Sequence, residues 1–582
     1  MVPSVYEDGT LYNVLPSGNK APDETGNHNG YDQTRADFTF SRGSNLAATR
    51  VNANGLIEKG RENLLTYSND FSNSAWSKTS GSSVASGYSG YDGTNNAFLF
   101  TDSGTNSSYG FYQQFSFSGV LTFSIYLKAG SDDTIGIDIF SSAKVARANI
   151  NLTSGTITGS NDIDVSISDV SNGWYRCSVT GNLTSAIYAR IGTGSAGGTF
   201  YGMNAQLEYG LAASSYLDSG ATTATAGVLE NTPRIDYSSG AGALLLEPQR
   251  TNNILNSEYF GGYSFTNGSI TTNNTTSPEG LNNASTFAES TATGTHQMRI
   301  TTGVTSGSDV TFSFYAKANG RDYVNFWEDV TTGHQAYFNL STGVATNNGF
   351  TSVGIEDAGN GWYRCYGTKS SFGGSSFGSR IHASQDANFN SYTGDGTSGF
   401  HIYGLQLESS ASYPSSYVPT YGSAATRGAD LCENATASTN IFGASKGAFY
   451  IEGYVNTLDT NGIIPFTAGT GTSALMYVWI RTNGTLYVEW YESGVLQAQL
   501  NTTSGAVNVG DSFKIAAAYQ NNDFVAYLNG TLIETDTNGT APNPTSLKLG
   551  QYTSGAYKGG ALSKVYVFNE RLSNTELAAL TA

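Results

Sequence analysis

The sequence predicts an all-β protein built from tandem antiparallel β-sandwiches, and three observations carry that reading. First, apolar and polar residues alternate strictly over strand-length segments. In 121–128, Leu121, Phe123, Ile125 and Leu127 share one face, while Thr122, Ser124, Tyr126 and Lys128 share the other. Second, Gly (70), Tyr (37) and Phe (29) are abundant and Asp, Glu, Lys and Arg make up only 13%. That mixture suits strands and turns better than helices, and it is too aromatic for a disordered chain. Third, the chain repeats itself. Thr122-Phe-Ser-Ile-Tyr-Leu-Lys-Ala129 returns as Thr311-Phe-Ser-Phe-Tyr-Ala-Lys-Ala318, and Asn172-Gly-Trp-Tyr-Arg-Cys177 as Asn360-Gly-Trp-Tyr-Arg-Cys365. Gln206-Leu-Glu208 matches Gln406-Leu-Glu408, and Asn63-Leu-Leu65 is matched here to Asn253-Ile-Leu255. Offsets of roughly 190 to 200 residues are the size of a whole domain, not of a solenoid repeat.

The 582 residues therefore divide into an arm and three sandwiches. Residues 1–60 read as an N-terminal attachment arm, with a short hairpin about Asp8-Gly9 and a polar stretch from Asn19 to Asp37. Module one covers 61–228 and module two 229–428. Each opens with a short aromatic-bearing segment (Phe71 and Trp76; Phe260 and Phe265) and continues in alternating strands. The junctions are short, so the modules should stack closely. The last unit, 429–582, is a different sandwich. Its turns are signalled by Asn483-Gly484 and Asn529-Gly530. Its end should be helical, capped by Ser573 with Glu576 three residues on.

Residues 449–582 resemble the laminin-G/concanavalin A-like lectin fold. The resemblance lies in Gly447-Ala-Phe-Tyr-Ile-Glu-Gly-Tyr-Val455, Phe524-Val-Ala-Tyr-Leu-Asn-Gly-Thr531 and Leu562-Ser-Lys-Val-Tyr-Val-Phe568 with its following Arg571-Leu-Ser-Asn-Thr-Glu576. The two repeated modules resemble jelly-roll carbohydrate-binding modules of the family 4 and 9 type. They do so through Asn63-Leu-Leu-Thr-Tyr-Ser-Asn-Asp-Phe71, the Phe-Ser-x-Tyr-x-Lys and Gly-Trp-Tyr-Arg strands and the closing Gln-Leu-Glu. The combination is similar to that of bacteriophage virion proteins, where phrases like Asp37-Phe-Thr-Phe-Ser-Arg42, Leu244-Leu-Leu-Glu-Pro-Gln-Arg-Thr-Asn252 and Ser416-Tyr-Val-Pro-Thr420 recur. Module one departs from that pattern, with Glu58-Lys-Gly-Arg-Glu-Asn63 where the full Leu-Leu-Leu-Glu-Pro-Gln-Arg phrase would stand. The resemblance implies tandem jelly rolls followed by a concanavalin A-like sandwich. It also implies a virion-surface fibre or appendage that adheres to host-surface glycans.

Charge and chemistry narrow the alternatives. A net charge of −18 leaves no basic stripe to neutralise phosphates, so nucleic acid is not an expected partner. No apolar run is long enough to span a membrane, and Met1 to Asp8 show no secretory-signal pattern, so synthesis in a host cytoplasm is expected. Cys177, Cys365 and Cys432 read as buried free thiols. The five histidines, at 28, 296, 334, 382 and 401, lack zinc-site spacing. No paired-carboxylate strand appears. Glu489 and Glu492 lie three apart and so face opposite sides of a strand. No enzyme is expected, with a polysaccharide-degrading enzyme as the weakest alternative. No cofactor is required. Asp132-Asp133 and Asn161-Asp-Ile-Asp164 supply the oxygen ligands of a calcium site, so structural Ca²⁺ stays open beside the plainer account of solvated turns.

Sugar recognition calls for flat aromatic faces beside a few hydrogen-bonding groups. Trp174 and Trp362 are read as core residues whose neighbouring arginines meet carboxylates. The better candidates in module two are Tyr323, Phe326, Trp327, Asp329 and His334. Module one has Thr134-Ile-Gly-Ile-Asp-Ile-Phe140 there, without a Trp. In the last domain a two-residue turn at Asn483-Gly484 pairs Trp479 with Val488 and Tyr477 with Trp490. That register turns those aromatics inward and leaves Tyr487, Glu489 and Tyr491 outside with Ile480; a one-residue slip would reverse it. The expected partners are other virion proteins through the N-terminal arm, host glycans, and sister subunits in a homo-oligomer such as a trimer. A purely structural capsid or tail decoration protein is the competing reading.

Overall fold

The computed structural model describes residues 6–7, 10–11 and 38–582, except 45, 105–109, 143, 162, 185–186, 194–196, 332, 389–390, 435–441, 443–444, 459–461, 470, 472 and 553–558. The chain is all-β, and its sheets are antiparallel sandwiches. It forms two compact units, and neither is one continuous stretch. One unit joins 59–227 to 251–425, and the other joins 1–58, 228–250 and 426–582.

The first unit holds the two modules, each a pair of six-stranded sheets in the same order. Sheet A of module one runs Asp164–Ser171, Trp174–Leu183, Gly119–Ala129, Thr199–Tyr209, Ala97–Thr101, Ser83–Tyr88. Its counterpart in module two runs Ser352–Asp357, Trp362–Lys369, Val310–Asn319, Gly399–Ser409, Ala284–Glu289, Gly268–Thr275. Sheet B of module one runs Thr156–Asn161, Val145–Asn151, Thr134–Ser141, Ile187–Gly192, Phe111–Phe115, Ser77–Lys78. In module two it runs Val344–Asn348, His334–Asn339, Tyr323–Glu328, Ser376–Ser384, His296–Gly303, Ser264–Thr266. The inward alternation builds the cores, from Leu121, Phe123, Ile125 and Leu127 in one and Val310, Phe312, Phe314 and Ala316 in the other.

The duplication extends to buried hydrogen bonds. Asn63 donates to the carbonyls of Ala205 and Leu217 and accepts from the amides of Leu65 and Leu207. Asn252, not Asn253, does the same with Leu405, Val418, Ile254 and Leu407, so the sequence match of Asn63 to Asn253 is one residue out. Thr122 meets Thr180 at 2.8 Å, and Thr311 meets Thr368 at 2.9 Å. Trp174 and Trp362 are buried as expected, but on the outer side of sheet A, because they alternate with the core-facing Tyr175 and Tyr363. Their arginines reach backbone carbonyls. Arg176 donates to the Ser214 carbonyl, and Arg364 to that of Ser415 at 2.6 Å.

The modules meet across a buried charge cluster. Lys59 Nζ lies 3.1 Å from Glu258 and 2.9 Å from Glu279, and donates to the Tyr421 hydroxyl at 2.9 Å. Burial alone would depress the Lys59 pKa, but the two carboxylates outweigh it and hold the ammonium charged. Gly119 completes the contact: at φ +119° its backbone runs so close to Tyr421 that a Cβ would lie 1.8 Å from the Tyr421 carbonyl oxygen.

The second unit is the C-terminal sandwich, and it redraws the expected linear boundaries. Its nine-stranded sheet runs Tyr6–Glu7, Thr10–Leu11, Phe38–Ser41, Leu431–Asn434, Leu547–Leu549, Ile463–Ala468, Ala474–Ile480, Leu486–Glu492, Val495–Asn501. Its seven-stranded sheet runs Arg234–Asp236, Ala243–Leu246, Gly560–Phe568, Lys446–Tyr454, Ser512–Gln520, Asp523–Leu528, Thr531–Asp536. The segment 1–60 reads from sequence as an attachment arm. Instead Phe38 and Phe40 pack in this core with Leu244 and Leu246, since alternation turns them inward. The expected hairpin is present as pairing of Tyr6 with Leu11 and Glu7 with Thr10. Asp8, Gly9 and the stretch from Asn19 to Asp37 lie outside the described residues.

The three chain segments are joined by buried charges. Asp430 accepts from Arg42 at 2.8 Å and from Arg234, while Glu247 accepts from Arg234 at 2.7 Å and from Arg427. Burial brings Arg42 down to about 10 despite Asp430. Burial would raise Asp430, but Arg234, Arg42 and Arg427 outweigh it and hold the carboxyl below its ordinary range. The C-terminal helix Asn574–Thr581 carries the expected capping box of Ser573 and Glu576.

Candidate functional site

The strand Tyr323–Glu328 of module two divides the predicted residues between its faces. Phe326 is buried among core aromatics, and His334 sits on the same inner side, 3.2 Å from the buried Glu328. Neither belongs to an outer sugar-binding face, because residues of even number point inward here. The odd-numbered Tyr323, Asn325, Trp327 and Asp329 point outward.

Around Trp327 the sheet sets two rows. Trp327 pairs with Arg380, which pairs with Arg299; Asn325 pairs with His382, which pairs with Gln297. The Arg380 guanidinium lies 4.9 Å from the Trp327 ring centroid, and the His382 ring stacks at 6.3 Å. Asp329 accepts from both Arg299, at 2.9 Å, and Arg380. Partial burial would raise Asp329, but its two arginines outweigh that and lower it. Burial drives the His382 imidazole down to about 3, so it is neutral at ordinary pH. Asn325 and Gln297 are buried beside it, and their side-chain oxygens have no hydrogen-bond partner among the described residues.

Module one has the same frame with two residues exchanged. Asp138 pairs with Arg190 as Trp327 pairs with Arg380, which makes Phe140 the counterpart of Asp329. Asp138 holds Arg190 at 2.7 Å and Arg147 at 3.0 Å, and Arg190 lies 4.1 Å from the Phe140 centroid. Each arginine thus keeps one aromatic and one carboxylate, swapped two positions along the strand. Sequence reading missed this because only the pairing register shows that the two arginines correspond.

The C-terminal sandwich presents the broader aromatic face. The one-residue slip is realised. Arg481 N donates to the Thr485 carbonyl at 2.9 Å around a three-residue loop, with Gly484 at φ +73°. Trp479 therefore pairs with Tyr487, and Tyr477 with Glu489. The register is set by Val478, Ile480, Leu486, Val488 and Trp490, which all enter the core. Ile480 is thus inside, and Tyr477 and Trp479 join Tyr487, Glu489 and Tyr491 on the opposite face of the sheet, where Tyr477 is itself buried with Ile464 and Leu475 and only Trp479, Tyr487 and Tyr491 are partly exposed. Glu489 is buried and accepts from the hydroxyls of Tyr477 and Tyr491 (3.0 Å) and from Gln499 Nε2 (2.6 Å). Tyr477 and Tyr491 stack at 6.2 Å. Arg481 lies 4.4 Å from the Trp479 centroid and 4.1 Å from that of Tyr487.

Of the acidic residues offered for calcium, Asp133 accepts from Asn151 and Thr134, and Asp164 from Asn273; one buried Asp132 oxygen has no hydrogen-bond partner among the described residues, and Asp162 lies outside them. Among the described residues no three His, Cys, Asp or Glu side chains converge on a metal position. Among the same residues no helix is long and apolar enough to cross a membrane.

No protein-family model matches the chain, and no curated protein matches it. Several solved structures are similar to parts of it. The CBM40 of the Ruminococcus gnavus IT-sialidase bound to α2,3-sialyllactose is 21% identical, over 24% of this chain and 84% of that one, with a TM-score of 0.22. The N-terminal CBM22-1–CBM22-2 tandem of Paenibacillus barcinonensis Xyn10C is 11% identical over 63% of this chain and all of that one (100%), with a TM-score of 0.21. The LG1–3 region of the laminin α2 chain is 12% identical over 79% and 95%, with a TM-score of 0.13.

Proposed function

We propose that the chain is a phage virion structural protein, a fibre or surface appendage, that adheres to host-surface glycans through lectin-like sandwiches and catalyses nothing. The observation that carries the adhesive reading is the outer face of the C-terminal sandwich. Trp479, Tyr487 and Tyr491 are partly exposed rings beside one buried carboxylate, Glu489, which the buried Tyr477 helps to hold. Aromatic walls stack on the C–H faces of pyranose rings, and fixed polar groups orient the hydroxyls. Trp327 gives module two a second, narrower face. Several weak sites on one chain gain strength through avidity. The virion assignment rests on the phage-like phrases around 37–42, 244–252 and 416–420. Attachment to other virion proteins falls to the residues before Phe38, where Tyr6, Leu11, Tyr12, Val14 and Leu15 supply apolar contacts. Assembly as a homo-oligomer belongs to the same reading.

A glycan array probed with the full chain tests adhesion. Binding should appear and should fall at least tenfold in Trp479→Ala and Tyr487→Ala, without release of reducing ends. A chain that binds no glycan yet still assembles on particles would establish the purely structural alternative.

A further inference from the structure

We infer that the face of the C-terminal sandwich selects saccharides bearing a carboxylate, with Arg481 as the partner of that anion. This rests on the glycan-binding reading above and names its ligand class. The starting observation is a comparison among arginines stacked on aromatic rings. Arg42, Arg190, Arg321 and Arg380 each hold a carboxylate, from Asp430, Asp138, Glu289 and Asp329. Arg176 and Arg364 hold backbone carbonyls. Arg481 lies against two rings, Trp479 and Tyr487, and has no carboxylate within ion-pairing distance among the described residues. Its Nε is buried without an acceptor among the described residues.

The nearby carboxylate does not balance it. Glu489 is occupied by Tyr477, Tyr491 and Gln499. A guanidinium whose flanks are desolvated by aromatic rings, in a chain of net charge −18, is an uncompensated anion site. Its planar fork of donors fits a carboxylate in two parallel hydrogen bonds. Next to it the exposed amides of Gln499 and Asn501, opposite Glu489 and Tyr487 in the sheet, are placed for sugar hydroxyls, and Tyr487 and Tyr491 for ring stacking. A saccharide unit stacked at Tyr487 can thus place its carboxylate on Arg481, while a further unit of the same oligosaccharide reaches Tyr491.

The test is titration calorimetry of the full chain with oligogalacturonate and hyaluronan oligosaccharides, with the methyl esters of both, and with a sulfated oligosaccharide. The acids should bind at least tenfold more tightly than their esters. Arg481→Gln should abolish that difference, so that acids and esters bind the variant alike. Arg481→Lys should restore part of it, because a point charge attracts the anion but cannot fork. Equal binding of acids and esters by the unaltered chain, or undiminished acid preference in Arg481→Gln, overturns the assignment. So does tighter binding of the sulfated probe than of the carboxylates. If neutral glycans bind the array and acids gain nothing, only this inference falls. If no saccharide binds in any arm, the glycan-binding reading falls with it.

Discussion

Modules one and two share strand order, core and buried amide network, yet they differ where they face outward. Asn63 and Asn252 make the same four hydrogen bonds, while Asp138 and Phe140 have become Trp327 and Asp329 around a retained arginine. The contrast shows which positions the fold demands and which it leaves open. A buried amide that satisfies four backbone groups has no isosteric substitute, whereas an outer row needs only one ring and one carboxylate beside the guanidinium. In module one the carboxylate is central and holds Arg147 and Arg190. In module two the ring is central and half-exposed. The first arrangement closes the face with ion pairs; the second leaves a stacking surface.

The largest expected effect tests what is shared. Asn63→Ala and Asn252→Ala should each destabilise their module by about 4 kcal/mol, since each strands two carbonyls and two amides. Denaturant midpoints followed by fluorescence would measure it. Equal losses support the correspondence, and tolerance at one site alone breaks it.

Acid should separate the two modules. All the histidines of the first unit lie in module two, and Gly192 stands in module one where His382 stands in module two. Burial holds folded His382 near about 3, below its ordinary 6.5, so between those values the unfolded chain takes up the proton that the folded chain refuses. The stability is present above pH 6.5 and is lost as pH falls towards 3, at about 1.4 kcal/mol per pH unit. Hydrogen exchange at pH 7 and pH 5 should show module two loosening while module one holds. His382→Asn should reduce that difference, and loosening undiminished in the variant would assign the effect to His401, which burial also lowers, or to the carboxylates.

A smaller effect tests the exchange itself. Asp329→Phe alone leaves Arg299 and Arg380 without their carboxylate and should cost about 2 kcal/mol. Adding Trp327→Asp recreates the arrangement of module one and should recover about 1 kcal/mol of it. A double variant no more stable than the sum of the single ones would sink the equivalence. The smallest structural effect is expected of Trp327→Ala, within about 0.5 kcal/mol of the parent, because the ring is only half-buried. Its consequence should appear in glycan retention.

The sequence made the sandwiches legible because alternation and repetition are local signals. Leu121 to Lys128, the buried thiols and the Ser573 cap all stand where periodicity and turn chemistry put them. The hairpin at Asn483-Gly484 marks the limit. The dipeptide announces a turn but not its length, and the choice between two and three loop residues decides which face of the sheet Tyr477 and Trp479 take. Tyr323, Phe326, Trp327, Asp329 and His334 were gathered as one cluster, but adjacency along a strand sends neighbours to opposite faces. The entry of Phe38, Phe40, Leu244 and Leu246 into one core was invisible, since no sequence signal pairs strands hundreds of residues apart.

That interrupted core sets a clock. The strand at Phe38–Ser41 packs in a sandwich whose closing strand is Gly560–Phe568, so 518 residues (559 − 41) are made between them. At synthesis rates of roughly 5–20 residues per second, the early strand waits on the order of a minute for its partners, while modules one and two can fold in sequence behind it. During that interval Phe38 and Phe40 are an unpaired apolar edge. Newly made chains should therefore be most prone to coaggregate, and most dependent on chaperones, before the last strand emerges.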